Sequence, residues 1–426
     1  MFYNCKSLTS IDLSNFNTEN VERMDSLFEK CSNLTFLDLS GFKTSKVTTF
    51  GYMFSGCTSL QKIVLSSFDT SKAESMSNMF SNCISLTSLE LSNFNINKVS
   101  NMDKMFQGCI NLTSLDLKTF TKGNLYSVES MFQDCIKLTS LDLSEFDINP
   151  SSMGNMFSNC TSLEYLNIPK IKTDNWNYYT NIIFENCHSI KYLNLPGFTM
   201  KKIYSLSNMF RNCYSLTSID FPNLNTSGIR TFTSVFENCR NLTSLDLSHF
   251  NTIQATNMDK MFQGCTSLKY LKFNFTTDKV TLMQNMFANC TSLTSLDLSN
   301  WNTPLVTNMS NLFEGCTSLE YLTINFDTPK VKFMQNMFLN CINLISLDLS
   351  SFVTSSVTNM SNMFKNCTTL TSLDIINFDV SQCSNFENIF ENDIGLVLYI
   401  NNEALEKMKE DIPLYINVSG TPNDIF

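Results

Sequence analysis

The sequence predicts an α/β solenoid of about sixteen coils of 25–27 residues. Each coil is expected to hold a strand, a turn and a short helix, with the strands aligned in one parallel sheet and a cap at the C-terminal end. Three observations carry this. Fifteen of the sixteen Cys recur at intervals of 25, 26 or 27 residues, from Cys5, Cys31 and Cys57 to Cys341 and Cys367. Apolar residues follow each Cys at three, six and eight positions. All sixteen units carry a Phe three residues before the Cys position, from Phe2 to Phe390. Self-similarity at a fixed period of this length is the signature of stacked repeats, not of a disulfide pairing code.

The unit that opens at Cys290 shows each element in turn. Leu293, Leu296 and Leu298 give the spacing L-x-x-L-x-L of a leucine-rich-repeat strand, its last part alternating apolar and polar. An aromatic or aliphatic residue comes eleven or so after the Cys, as at Phe42, Phe68, Trp301 and Phe326. Val306, Met309, Leu312, Phe313 and Cys316 then lie three or four apart, the stripe of a short helix, with Thr307 as candidate N-cap. The residue before the Cys is Gly or Asn in fourteen of sixteen units, which suits a left-handed stop. A single unit cannot bury its apolar side, whereas stacked units can. Burial of each ladder Phe ring is worth about 2 kcal/mol.

The two ends differ. Met1-Phe2 begins in the middle of a unit, which suggests that the natural chain starts earlier. At the other end Asp393 takes the Cys position. A strand at Val397–Ile400 and a helix at Asn402–Ile412 are expected to follow, the helix capped by Asn402 and turning Leu405, Met408 and Ile412 inward. The expected division is a solenoid over residues 1–392 and a capping segment over 393–426.

Composition narrows the function. The formal charge of −10 disfavours a nucleic-acid partner. No apolar run approaches the ~20 residues of a membrane span, and no leader opens the chain. No cofactor or metal site is expected, since no Cys-x-x-Cys occurs. The two His, His188 and His249, read as ordinary repeat substitutions, so an enzyme is not expected. The ladder Cys read as small buried apolar residues, and Cys383 as a substitute for a core Val. Their parallel side chains suit disulfides poorly.

The strand positions that alternate with the core residues should face solvent. Seven residues after the Cys, ten of fifteen coils carry an acid, among them Asp116, Asp142, Asp220 and Asp246. Two positions earlier the column is mostly Ser but holds Phe36, Tyr165, Tyr192, Tyr270 and Tyr321. Two readings compete for the acids: a consensus surface residue that hydrogen-bonds locally, or an acidic ladder that receives a basic protein. Tyr165 and Tyr192 lie on adjacent coils, where the acid gives way to Asn167 and Asn194. Trp176, Tyr178 and Tyr179 fall in the only 27-residue interval, Cys160 to Cys187. Residues 164–195 are therefore the most individual part of a repetitive face and the candidate partner-binding patch, since aromatic residues anchor interfaces. A regular Thr column (Thr9, Thr35, Thr87, Thr113 and onward) also raises matching to a periodic surface, but Gln61, Glu164 and Lys191 interrupt it.

The signature SLTSLDLSNF…VTNMSNMFxNC, carried here by Leu293–Phe313, Leu344–Phe364 and their equivalents, resembles the BspA-like leucine-rich-repeat surface proteins, in particular a subgroup also found in mycoplasmal lipoproteins. The likeness spans essentially residues 1–392. It implies an extracellular or cell-surface protein that adheres to host proteins or other cells. A structural or antigenic spacer without a single ligand is the alternative.

Overall fold

The computed structural model describes residues 1–121, 123–168, 171–173, 182–199, 201–220 and 222–419. The chain divides into two units, Met1–Tyr204 with Met209–Asn225 and Ser205–Asn208 with Thr226–Phe426. Each is a parallel β-solenoid built from the predicted coils.

In the first unit the strands are β1 (Phe36–Asp38), β2 (Lys62–Val64), β3 (Ser140–Asp142), β4 (Tyr165–Asn167), β5 (Tyr192–Asn194) and β6 (Ser218–Asp220). They pair in parallel as β1–β2, β3–β4 and β5–β6, with equivalent repeat positions in register, such as Leu141 opposite Leu166. The second unit holds β7 (Ser244–Leu247), β8 (Tyr270–Phe273), β9 (Ser295–Leu298), β10 (Tyr321–Ile324), β11 (Ser372–Asp374) and β12 (Val397–Tyr399). After them come α1 (Asn402–Met408) and β13 (Asn417–Ser419). Here β7 pairs with β8, β9 with β10, and β11, β12 and β13 form a three-stranded parallel sheet. The single continuous sheet expected from the sequence is thus a series of short parallel ladders among the described residues.

The larger correction concerns the helix of each coil. Over 309–316 the backbone is not helical. Alternate N–H groups point to the next coil: Met309 to Phe333 O (3.0 Å), Asn311 to Gln335 O (3.0 Å), Phe313 to Met337 O (2.9 Å) and Gly315 to Leu339 O (2.7 Å). The intervening N–H groups close tight turns, as Leu312 does on Met309 O (3.3 Å) and Cys316 on Phe313 O (3.1 Å). Two left-handed residues per coil, here Asn311 (φ 58) and Gly315 (φ 69), bend the chain between these bonds. A left-handed residue every fourth position is incompatible with a right-handed helix. The same pattern runs through Met24–Cys31 in the first unit, with Ser26 and Lys30 left-handed. Thr307 consequently caps no helix; its hydroxyl donates to Thr281 O of the preceding coil (3.2 Å).

The expected stop before each Cys is real as a conformation. All sixteen residues there, including Lys30 and Asp134, have positive φ. Where both neighbours are Asn, their amides form a ladder: Asn186 Nδ2 to Asn159 Oδ1 and Asn212 Nδ2 to Asn186 Oδ1 (2.7 Å each) in the first unit, and Asn366 to Asn340 (2.6 Å) in the second. Gly315 follows Asn289 in the same column, and a Cβ there would stand 2.4 Å from Asn289 Oδ1. Gly takes that φ without strain and leaves the space to the Asn289 side chain.

The core sits between the strand side and the turn side. Phe rings stack from Phe2 to Phe210 in the first unit with centroids 5.2 to 6.0 Å apart. They stack from Phe236 to Phe390 in the second at 5.6 to 5.9 Å. Stacked pairs add about 0.5–1.5 kcal/mol each to the burial term. Beside them the Cys, apart from the exposed Cys5, are buried thiols. They are more than apolar filler: Cys57 Sγ donates to Phe28 O (3.1 Å) and Cys316 Sγ to Phe287 O (3.1 Å), and the other ladder thiols follow suit. Each thiol thus reaches the Phe carbonyl of the coil before it.

A further ladder, not anticipated from the sequence, lies twelve or thirteen residues after the Cys. The buried Thr44 hydroxyl donates to Asp69 O (3.0 Å) and accepts from Asp69 N (2.7 Å). Thr328 does the same with Val353 (2.8 and 2.9 Å). One hydroxyl thereby pairs with both backbone groups of a residue in the next coil, as a strand residue would.

At the C-terminal end the helix is shorter than expected. It ends at Met408, and its N-cap is Asn401, whose side chain accepts from Ala404 N (2.8 Å), not Asn402. Ala404 and Met408 are buried, while Leu405 and Ile412 are half-buried. Beyond it β13, which the sequence pattern did not suggest, pairs with β12.

Candidate protein-binding face

The outward positions of the strands carry two columns. The acid column begins as a local device. Asp142 Oδ1 accepts from Ser144 N (2.9 Å), Asp297 Oδ1 from Ser299 N (2.9 Å) and Asp348 Oδ1 from Ser350 N (2.9 Å). Asp12, Asp38, Glu90, Asp116, Asp246 and Asp374 cap the residue two ahead in the same way. Short polar side chains make such turns readily. Bonding to the backbone and hydroxyl of Ser299 holds the Asp297 carboxyl below the usual range, and Ser350 does so for Asp348. The Ser40 hydroxyl and N–H do the same for Asp38. The Asp246 carboxyl is held lower still, by Ser248 first and then by Lys272, whose Nζ is 3.0 Å from Oδ2. A hydrogen-bonded carboxylate favours its charged form. In Asp38, Asp246, Asp297 and Asp348 the local bonds therefore favour the carboxylate.

The aromatic column departs from this rule in a correlated way. Tyr165, Tyr192, Tyr270 and Tyr321 are 56%, 51%, 74% and 60% exposed. In each of their coils the acid is absent, replaced by Asn167, Asn194, Lys272 or Thr323. Each of these Tyr also follows a charged residue, Glu164, Lys191, Lys269 or Glu320, where consensus coils carry Thr. On the coil of β5 the residue two ahead of Asn194 is Pro196, which has no N–H, so a carboxylate there has nothing to cap. Pro222 stands in the same relation to Asp220. The signal for this was in the sequence, as Ser or Pro two residues after the acid, but it is visible only once the turn is known.

The structure brings Tyr165, Asn167, Tyr192 and Asn194 together around a shallow concavity of about 310 Å³, completed by Glu164, Leu166, Lys191 and Pro196. Its charges are internally matched: Lys191 Nζ and Glu164 Oε2 are 3.1 Å apart. Asn167 Nδ2 donates to Asp142 Oδ1 of the preceding coil (3.0 Å). Asp116, Asp142 and Asp220 are exposed on the same unit. In the second unit Tyr270 lines a concavity of about 410 Å³ with Asp246, Lys269, Lys272 and Ser295. Trp176, Tyr178 and Tyr179 lie outside the described residues.

The Thr column, whose regularity raised matching to a periodic surface, makes inter-coil bonds. The hydroxyls of Thr113 and Thr217 donate to Thr87 O (3.3 Å) and Lys191 O (2.9 Å). Burial pushes the ladder thiols up, Cys57 and Cys109 to about 12, the opposite of what a nucleophilic thiol requires. The His188 ring stacks on Tyr214 (4.6 Å). Among the described residues, no group of three or more His, Cys, Asp or Glu is placed to hold a metal ion, and no helix is long and apolar enough to cross a membrane.

Comparison with known proteins agrees with this architecture. A family model described as "Mycoplasma protein of unknown function, DUF285" matches residues 1–109, 83–192, 179–296 and 281–396. A leucine-rich-repeat protein from Bacteroides ovatus is similar over 93% of this chain and 86% of its own, with TM-score 0.53 and 18% identity. A leucine-rich cell surface protein from Faecalibacterium prausnitzii is similar over 89% and 83% of the two chains, with TM-score 0.40 and 17% identity. A leucine-rich-repeat protein from Eubacterium ventriosum covers 87% and 86%, with TM-score 0.32 and 13% identity. These neighbours are BspA-like leucine-rich-repeat proteins. A search of the curated proteins found no match. Leucine-rich-repeat solenoids commonly mediate protein binding or adhesion and are typically non-enzymatic scaffolds.

Proposed function

We propose that this chain, which belongs to the family described as Mycoplasma protein of unknown function, DUF285, is an extracellular adhesion module that binds protein through the outward face of its strands. The observation that carries the reading is the concavity between Tyr165 and Tyr192. It is an aromatic spot whose own charges are paired, on a face otherwise lined by exposed carboxylates. Stable interfaces have this anatomy: a desolvated aromatic centre within a polar rim. The complementary partner presents an apolar side chain that enters the concavity and Lys or Arg around it, facing Asp116, Asp142 and Asp220. Tyr270 and Tyr321, with Asp246 nearby, form a second station of the same kind on the other unit.

Beads coated with the protein and scored for adhesion to cultured animal cells test this. The double substitution Tyr165→Ser/Tyr192→Ser should reduce adhesion at least tenfold at unchanged thermal stability. Raising the salt should weaken what remains, because it screens the acidic rim. Equal adhesion by both proteins would remove the station. The capping of Ser N–H groups by the acids favours a second reading, an inert spacer whose acids serve the strand ends alone. On that reading beads coated with the unaltered protein do not adhere above an albumin control.

A further inference from the structure

In the last coil Asp393 occupies the slot that a Cys fills in every other coil. It is 1% exposed, and neither carboxyl oxygen has a hydrogen-bond partner in the described structure. The slot has a fixed chemistry. In the coils before it, the side chain there is a donor: Cys341 Sγ reaches Phe313 O and Cys367 Sγ reaches Phe338 O, each at 3.2 Å. By the same register, the side chain of residue 393 faces the carbonyl of Phe364. A carboxylate cannot donate to a carbonyl, whereas a carboxylic acid can.

We infer that Asp393 is a protonated acid that stands in for the ladder thiol, and that its ionisation loosens the C-terminal segment, β12, α1 and β13. Several features of its surroundings support this. From the preceding coil the facing titratable group is the Cys367 thiol, which is neutral because burial pushes it well up. The Cys367 N–H, which favours the charged form but less than burial disfavours it, is already bonded to Phe364 O at 3.0 Å. From the C-terminal side the Tyr415 hydroxyl accepts from Asn392 N (2.7 Å), beside the slot. The nearest ion pair, Lys365 with Glu391 (2.6 Å), is matched within itself and lies nearer the surface. Among the described residues no cation is paired with Asp393. Burial accordingly raises its carboxyl to about 7.

Asp393 links the last coil to the strand that follows. Its N–H bonds Phe390 O (3.3 Å), and its own carbonyl accepts from Leu396 N (3.3 Å), one residue before β12. A charge in the slot therefore bears directly on the start of the closing sheet. The sign follows from linkage. The opened segment ionises near the ordinary carboxyl value, whereas the closed one holds its proton up to about 7. The segment is thus tightest in acid. It loosens as the pH rises from about 4 to about 7 and changes no further above that.

Hydrogen–deuterium exchange of residues 396–419, corrected for the intrinsic pH dependence of amide exchange, reads this directly on the whole protein. The opening constant should rise by up to about tenfold per pH unit over that window. In Asp393→Cys, which restores the ladder thiol, it should be flat and lower at pH 7. A second measurement does not depend on opening. Infrared difference spectra between native Asp393→Cys and the unaltered protein at pH 5 should show one protonated-carboxyl C=O band, lost by pH 9. A flat opening constant in the unaltered protein, an identical slope in Asp393→Cys, or absence of that band would each overturn the inference.

Discussion

Two coils of equal length separate the residues that hold the stack together from those that vary on its outward face. The coil from Cys290 to Cys316 follows the repeat rules at every position. Asp297 caps Ser299, the buried Thr303 hydroxyl reaches Asp327 O (2.7 Å), and Phe313 stacks between Phe287 and Phe338. The coil from Cys187 to Cys213 keeps the interior and alters the face. Phe184 and Phe210 stack at 5.7 Å and Cys213 Sγ reaches Phe184 O at 3.2 Å, yet Tyr192, Asn194 and Pro196 replace the Ser, Asp and Ser of the consensus strand. The interior ladders are bonds between coils, so a change there damages two coils at once. The outward columns bond within a coil, as Asp297 does with Ser299, or through exposed side-chain contacts to the coil before, as Asn167 does with Asp142, so they vary at little cost. Side chains that depart from the consensus on the outward face are therefore the ones free to serve a partner.

The contrast gives an ordered series of outcomes, each checked by chemical denaturation. Phe287→Ala should cost about 3–5 kcal/mol, as emptying a core site does. Tyr270→Ser on the outward face should fall within about 0.5 kcal/mol of no change. If the two were alike, the division between interior and face would fail. Gly315→Ala should cost about 1–3 kcal/mol, because a Cβ would meet Asn289 Oδ1 at 2.4 Å in a left-handed residue. Adding Asn289→Ala should restore much of the loss by removing the clash. Thr328→Val keeps shape but strands the N–H and carbonyl of Val353, for about 1–3 kcal/mol.

The smallest effect sharpens the comparison most. Asp348→Ala removes one cap and should cost about 0.5–1 kcal/mol near neutral pH. Asn194→Ala, with Pro196 two residues ahead, should cost less than can be measured. The Asp348 contribution has a pH signature. Bonding to the N–H and hydroxyl of Ser350 lowers its carboxyl in the folded state. The contribution is therefore complete above the unfolded value and lost as the pH falls through the folded one. The difference in stability between the unaltered protein and Asp348→Ala should vanish in strong acid.

The sequence carried the coil period, the strand positions and the Phe and Cys ladders because each is a column of one residue type. It misled at Val306–Cys316, where two consecutive tight turns leave the same apolar spacing as a helix. The distinguishing residues were Asn311 and Gly315, four apart and both suited to left-handed backbone. Only the second was weighed, as a helix stop. The Thr ladder at Thr44 and Thr328 was hidden because Thr is common throughout the chain. The cap at Asn401 was missed by one residue for a similar reason, with two adjacent Asn equally able to serve. Tyr165 and Tyr192 were legible as irregularities. What the sequence could not convey was what the acid does in the other coils, since that depends on a turn in which Asp142 bonds Ser144.

The account depends on coils that close upon one another with their thiols inside. Counting maleimide adducts by mass spectrometry on the native protein is the most direct test. Cys5 is exposed and the other fifteen Cys are buried thiols. One rapid adduct, at Cys5, is expected in native buffer, and sixteen after unfolding without reductant. Labelling of Cys135 or Cys341 at the rate of Cys5, or fewer than sixteen adducts on unfolding because thiols are joined as disulfides, would contradict it.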